Sequence, residues 1–518
     1  PMRGKLFNVR GEGAKRINAN QEISDIKKIL ALSAGKEYSK SDVESMLRYG
    51  QVLFMTDQDL DGSHIKGLAI NLFEAQWPSL LKVEGFLGFM NTPILKARKG
   101  GKTLVFYNEG EWRAWLEAND SKGWSVKYYK GLGTSTAKEF KDYFAAKKVV
   151  TFSEHPGDLD SLDMAFNKKR SCDRKSWLEG YDRDLFLDTS LSSVSYGDFI
   201  HKELVHFSKY DCDRSIPNLM DGLKTSQRKI LYVGMKRQLT KSIKVAQFSG
   251  SVSELSCYHH GEASLNGAIK GLAHDFVGSN NVNLLIPDGQ FGTRMEGGGD
   301  AASERYIFTR LSPLVDKLFP ATDQVALTFL EDDGTQVEPL WYAPIIPMVL
   351  VNGCKGIGTG FSTEVLPHNP VDVLNSVLDR LQGRAPKALV PWYRGFTGSV
   401  EPITGANKVI IRGVWSREGK DSVRISELPI GTWTGDYKSM LEGLIESGQI
   451  KGYKDMSTDQ AVDITVSFAK GNLSGLSDAM IVKLLRMEAS KSTNNMHLFN
   501  QEEQLVKFDT TSAIIDAY

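Results

Sequence analysis

Apolar and polar positions along the chain follow two periods, and the change from one to the other marks the elements. Gln51–Met55 (QVLFM) is a short continuous apolar run, the pattern of a buried strand. Ile65, Leu68, Leu72, Phe73 and Trp77 then recur at helical spacing and define one apolar face. Tyr196–Phe207 carries helical periodicity again. From residue 365 to about 490, strand-like runs (VIIRGV, VDITVSF) alternate with helical patterns over Val371–Leu381 and Tyr437–Ile445, which predicts a mixed α/β lobe. The longest apolar run, Trp341–Val351, is too short and too proline-broken to cross a membrane, so no membrane partner is expected. Pro1 leads directly into a basic strand-like pattern and the final IIDAY is apolar and uncapped, so the chain reads as an internal piece of a longer one. Its 518 residues predict three or four domains with substantial cores.

Candidate chemistry lies where the elements join. Between the first strand and the helix face stands TDQDLDGSH, which puts Asp57, Asp59 and Asp61 at the carboxyl end of a strand, where open α/β sheets hold ligands. Three carboxylates this close repel one another unless a cation sits among them, and an all-oxygen set without cysteine suits Mg2+. A solvated acidic turn is the plainer alternative. An EF-hand is disfavoured, because no glutamate follows at the last ligand position. Further on, in KYYKGLGTSTAKEF, Gly131 and Gly133 mark a turn, and Thr134, Ser135 or Thr136 caps a helix beginning at Ala137. KKRSCDRK (168–175) is a basic cluster in what reads as a linker.

Charge changes the picture in one window. Lysine plus arginine equals aspartate plus glutamate, yet Lys224, Arg228, Lys229, Lys236, Arg237, Lys241 and Lys244 fall within 21 residues that contain no acid. Such a stretch is suited to a phosphate backbone, since each neutralised phosphate releases counterions; an ordinary basic surface is the alternative. Short helices around a basic turn predict a helix-turn-helix-like module. Four cysteines without metal-ligand spacing indicate neither a disulfide framework nor a structural zinc site. His259 and His260, adjacent and without a third zinc ligand, fit phosphate contact or proton transfer better than zinc. The glycine-rich run from Gly289 to Gly299 reads as a mobile connector that brings Arg294 near Arg305 and Tyr306. A tyrosine, with a pKa of about 10, needs a base or nearby positive charge to act as a nucleophile at neutral pH, and Arg305 supplies charge. Taken alone, Tyr306 reads first as a packing residue with a satisfied hydroxyl, and it is the surrounding residues that favour the nucleophile.

The ordered set PMRGKLFNVR, TDQDLDGSHIKGL, YYKGLGTS, RSIPNLMDGLKTSQRK, YHHGE, GQFGTRMEGGGDAASERYIFTRL and NGCKGIGTG resembles the DNA breakage-reunion core of eukaryotic-type type II DNA topoisomerases across essentially the whole chain. The resemblance implies that Tyr306 becomes linked to a DNA 5′-phosphate, one strand per protomer of a homodimer. It places Arg305, Arg214, Lys224, Lys229 and His260 around the scissile phosphate and makes Ile357 a wedge between base steps; Arg228, Lys236, Arg237, His259 and Arg294 are the further expected DNA contacts. Thr225 stands where the family often has proline, and the HH pair matches the eukaryotic-type enzymes. Asp57, Asp59 and Asp61 become part of a TOPRIM Mg2+ site whose completing glutamate is expected ahead of residue 1. ATP is implied for the full-length enzyme, with no nucleotide site in this segment.

The fold this implies is multidomain α/β. Residues 1–150 form an amino-terminally truncated TOPRIM domain with a parallel sheet, and 151–190 a linker. Residues 191–340 form a winged-helix breakage-reunion domain, 341–485 a tower domain with the intercalating loop, and 486–518 the base of a coiled-coil arm. Double-stranded DNA is the expected partner, gate-binding topoisomerase inhibitors are potential ligands, and the nucleus is the expected location. An inert DNA-binding module and a metal-dependent nuclease are the competing readings.

Overall fold

The computed structural model describes residues 4–129, 131–332 and 334–518. They form two compact units. One runs to Cys212 and includes Thr359–Phe361; the other comprises Asp213–Gly358 and Ser362–Tyr518. Arg3 and its two predecessors in the PMRGK stretch, and Lys130 of the YYKGLGTS stretch, lie outside the described residues.

The first unit is built on a four-stranded sheet in the order Val52–Phe54, Leu87–Met90, Val149–Ser153, Ser193–Ser195. The first and last pairs are parallel, but Leu87–Met90 and Val149–Ser153 run antiparallel. This corrects the expected parallel sheet. After Met90 the chain makes a small antiparallel sheet with Leu95–Lys99 at its centre, then returns at the same end, where the Asn91 N–H meets the Lys148 carbonyl at 2.9 Å. A return without a crossover gives an antiparallel neighbour. The helix Leu60–Gln76 follows the apolar face predicted for it and buries Leu68, Leu72 and Phe73 in a core with Trp77, Phe86, Phe89 and Phe152. Tyr196–Phe199 begins a helical run that passes through a π-helical turn at Ile200–Leu204 and continues as Val205–Ser215. The basic 168–175 segment is helical from Ser171 and is used internally: Arg170 pairs with Asp160, Asp163 and Asp173, and buried Arg174 donates to the Met164 and Asn167 carbonyls.

In the second unit, helices Thr225–Lys236, Val245–Leu255 and Glu262–Ala273 pack on one core beside a three-stranded antiparallel sheet with Phe308–Leu311 at its centre. Ile230, Val233, Val245, Phe248 and Ile269 are fully buried there. That same core takes in Met348–Val351, Val373, Met496 and Ile514, so residue 341 is not a packing boundary. A separate core, from Val423 to Met487, joins the four-stranded sheet ordered Val414–Glu418, Ser422–Glu427, Ile464–Ser467, Gly452–Asp455 to helices Thr434–Glu446 and Asp478–Leu484. Residues 486–518 differ from the expected coiled-coil base. Glu488–Ser492 pairs with Lys408–Arg412, Met496–Phe499 pairs with Leu505–Phe508, and only Thr511–Ala517 is helical. Strand pairing takes up most of this segment, and Ile514 and Ile515 are buried in the core instead of lying on a helical seam.

Candidate active site

In the first unit the acidic turn sits as the sequence predicts, after Val52–Phe54 and at the start of Leu60–Gln76. Asp59 is the N-cap of that helix and accepts from the Gly62 N–H at 2.7 Å. A β-carbon on Gly62 would lie 1.9 Å from the Asp57 carbonyl oxygen, so the turn closes this tightly only with glycine. Loss of water around Asp59 raises its carboxyl above the usual range, and the charges of Asp57 and Asp61 push the same way against the Gly62 N–H. Asp57 Oδ1 accepts from the Leu132 N–H at 2.6 Å, which brings the GLGT turn to the acidic site. Asp61 pairs with Lys5 at 2.7 Å.

The three aspartates share one neighbourhood, yet among the described residues no three acidic, histidine or cysteine side chains converge as a ready-made metal cluster. Each carboxylate already has a local use, as cap, turn acceptor or ion pair. The donor set, all oxygen and mutually repelling, fits a hard cation that keeps much of its own water, as Mg2+ does.

In the second unit Tyr306 follows a turn closed by its own N–H on the Ser303 carbonyl at 2.9 Å. Its side chain is 72% exposed, and the Arg305 guanidinium lies 5.8 Å from the ring centroid. The next residue, Ile307, is buried in the core and fixes the backbone after it. The hydroxyl is thus open to solvent beside a cation, and a core residue would not be so exposed.

The basic window divides by burial. Lys224 begins the helix Thr225–Lys236, and burial lowers the pKa of its amine. Lys229 Nζ reaches Glu338 at 2.9 Å and also the Ser256 carbonyl. Arg228 is 8% exposed and forks onto Asp221, with Nε–Oδ2 at 2.6 Å and Nη2–Oδ1 at 3.0 Å. Burial opposes its charge, but the Asp221 carboxylate more than restores it. Arg228 therefore braces the loop ahead of the helix, contrary to the expectation of a DNA contact. Lys236 and Arg237 are exposed at the helix end, where Lys236 lies against Tyr232 and Arg237 donates to Ser251. Arg214 is half-buried in the last turn of Val205–Ser215.

His259 Nε2 lies 3.0 Å from Asp332, and His260 stands edge-on to Tyr258. Arg294 is buried against Glu427, and Asp300 ties Thr293 through both N–H and hydroxyl, at 2.8 and 2.6 Å. The glycine-rich run is thus a braced connector, and Arg294 anchors it to the Val423–Met487 core instead of serving the tyrosine. Ile357 is 74% exposed at the end of the hairpin Cys354–Ile357/Ser362–Val365. A β-carbon on the preceding Gly356 would come within 2.1 Å of the Ser215 carbonyl, so the hairpin is pressed against its support and Ile357 is left outward.

Sequence reasoning missed the acids that hold the basic residues. Asp221 is within reach of notice, seven residues before Arg228, but Glu338 and Glu427 are remote in sequence and carry no local signal.

Two family models match. Residues 90–212 match the C-terminal associated domain of TOPRIM, and residues 214–518, more than half of the chain, match the A subunits of DNA gyrase/topoisomerase IV. The chain belongs to the type II topoisomerases. Relatives of the eukaryotic type agree along the whole chain. It is 45% identical to DNA topoisomerase 2 of Arabidopsis thaliana, with 100% of this chain and 36% of the relative covered. It is 43% identical to the mitochondrial DNA topoisomerase 2 of Dictyostelium discoideum, covering 100% and 41%. The solved DNA-binding, cleavage and re-ligation domain of Plasmodium falciparum topoisomerase II superposes with a TM-score of 0.82 at 42% identity, covering 100% of this chain and 71% of that one. The chain thus spans little more than a third of the length of the curated relatives.

Proposed function

We propose that the chain is the DNA cleavage and rejoining part of an ATP-dependent type II topoisomerase, and that Tyr306 is its nucleophile. The observation that carries this reading is the exposed Tyr306 hydroxyl beside Arg305, in a chain whose family acts on DNA. The Tyr306 hydroxyl gives up its proton as its oxygen attacks a backbone phosphorus, the bond to the neighbouring 3′-oxygen breaks, and that oxygen takes up a proton and leaves as a hydroxyl. The DNA 5′-phosphate is then esterified to Tyr306, and the reverse attack reseals the strand with no net change in bonds. Arg305, Lys224, Arg214 and His260 balance phosphoryl charge, and Lys229, held by Glu338, shapes the same surface. Asp57, Asp59 and Asp61 are the residues that would hold Mg2+, which when bound supplies positive charge for the leaving oxygen.

On this reading the three helices and small sheet that present Tyr306 form a winged-helix module, and the Val423–Met487 core is the body of the tower. Ile357 is the wedge that opens a base step, a cost offset by the contact that bent DNA allows. Two copies, one cut strand each, make the double-strand break through which a second duplex passes. The nucleus is the expected location, although the Dictyostelium relative is mitochondrial, so the address varies within the family.

The test uses end-labelled duplex with Mg2+, quenched with detergent, in this chain and in a form extended at its amino terminus. Label bound to protein in either form, and lost in Tyr306→Phe, supports the reading. Free ends that survive Tyr306→Phe indicate a nuclease. DNA binding without cleavage in both forms indicates an inert module.

A further inference from the structure

The GLGT turn that offers its Leu132 N–H to Asp57 is held by an unusual arrangement on its other side. Glu139 lies on the helix Ala137–Ala146 and is buried. Its Oε2 accepts from the Thr136 N–H at 2.8 Å and from the Thr136 hydroxyl at 3.1 Å, and its own N–H returns a bond to Thr136 Oγ1 at 3.3 Å. That much is a capping box. The same carboxylate also accepts from the buried Tyr129 hydroxyl through Oε1, and it draws in Lys127 at 3.1 Å and Lys96 at 3.4 Å. Tyr129 precedes the turn and Thr136 follows it. One carboxylate therefore grips both flanks of residues 131–135.

Inside the grip the turn is tight, with Thr134 N–H on the Gly131 carbonyl at 2.9 Å and Ser135 N–H on the Leu132 carbonyl at 3.2 Å. Helix capping alone accounts for Thr136 but not for Tyr129, and two lysines exceed what a cap requires. Burial works against the Glu139 charge, yet the Thr136 N–H, Tyr129 and Lys127 together hold it well below the usual carboxylate range. The clamp is thus ionised and fully engaged under ordinary conditions.

We infer that Glu139 is a positioning residue for the acidic site: by fastening both flanks of the 131–135 turn it sets the Leu132 N–H against Asp57 and so orients that carboxylate. Glu139 is buried on Thr136, Tyr129, Lys127 and Lys96 and acts on Asp57 through the turn. The inference rests, for its consequence in cleavage, on the topoisomerase reading above; its structural half stands apart from it.

Amide hydrogen exchange of the whole chain tests that half. Glu139→Ala is expected to speed exchange of Leu132, Thr134 and Ser135 by about tenfold or more, with Leu60–Gln76 and the four-stranded sheet unchanged. Tyr129→Phe, which removes one hydroxyl and keeps the ring, gives a smaller change confined to the same turn. Glu139→Gln, which retains an acceptor for Thr136, falls between. In the cleavage-competent form, Glu139→Ala lowers the rate of adduct formation by about tenfold while DNA affinity holds, because a misoriented carboxylate affects the chemical step and not the docking of duplex. Unchanged exchange in the turn, or faster exchange spread over the whole unit, overturns the clamp. Faster exchange in the turn with adduct formation unaltered overturns the positioning role. If the parent forms no adduct at all, the topoisomerase reading fails while the exchange result still decides the clamp.

Discussion

At the scale of single residues, the structure separates charges that look alike in sequence. Arg228 and Lys236 belong to the same acid-free window, but Arg228 is buried on Asp221 and Lys236 is exposed. Arg228→Met leaves Asp221 buried without its partner and is expected to cost about 3–5 kcal/mol, measured by urea unfolding. Lys236→Ala leaves stability nearly unchanged and lowers the slope of log affinity against log salt by about 1, measured by DNA titration. His368 makes a further prediction. It is buried, its Nδ1–H donates to the Leu350 carbonyl at 3.1 Å, and burial pushes its pKa down to about 4 from 6.5. An imidazole with a depressed native pKa contributes stability that is fully present above 6.5 and lost as pH falls toward 4. The window corresponds to about 3 kcal/mol. Unfolding of His368→Asn is expected to depend less steeply on pH than the parent between pH 7 and 4.5.

Among elements, what was legible depended on how local the cause was. The helix over Leu60–Gln76, the strand before it and the Thr136 cap were readable because periodicity and caps act within a few residues. The helices Pro370–Leu381 and Thr434–Glu446 lie where their periodicity places them. The antiparallel third strand was not readable, since its direction is set by a connection through residues 91–148 and not by its own sequence. The apolar IIDAY segment has the pattern of either a helical seam or a short core helix, and only its neighbours decide. Gly62 tests one local cause directly. Gly62→Ala forces the Asp57 carbonyl away and should destabilise the unit by about 1–3 kcal/mol in thermal or urea unfolding.

The whole chain comprises two units, one with the acidic turn and the other with the tyrosine. Both motifs are legible in the sequence because their residues are close together in it, even where the fold around them was misjudged. The braces were hidden. Arg294 finds Glu427 across 133 positions and Lys229 finds Glu338 across 109, distances over which sequence pattern carries no contact information. On the proposed reading, the chain breaks DNA by making a covalent bond through one particular oxygen. The most direct measurement is mass spectrometry of the detergent-trapped adduct after nuclease trimming and trypsin. Cleavage after Arg305 and Arg310 releases the peptide Tyr306–Arg310. This peptide is expected to carry a nucleotide mass through a 5′-phosphate on Tyr306. Nucleotide on a different tyrosine, or DNA ends released without any modified peptide, would contradict it.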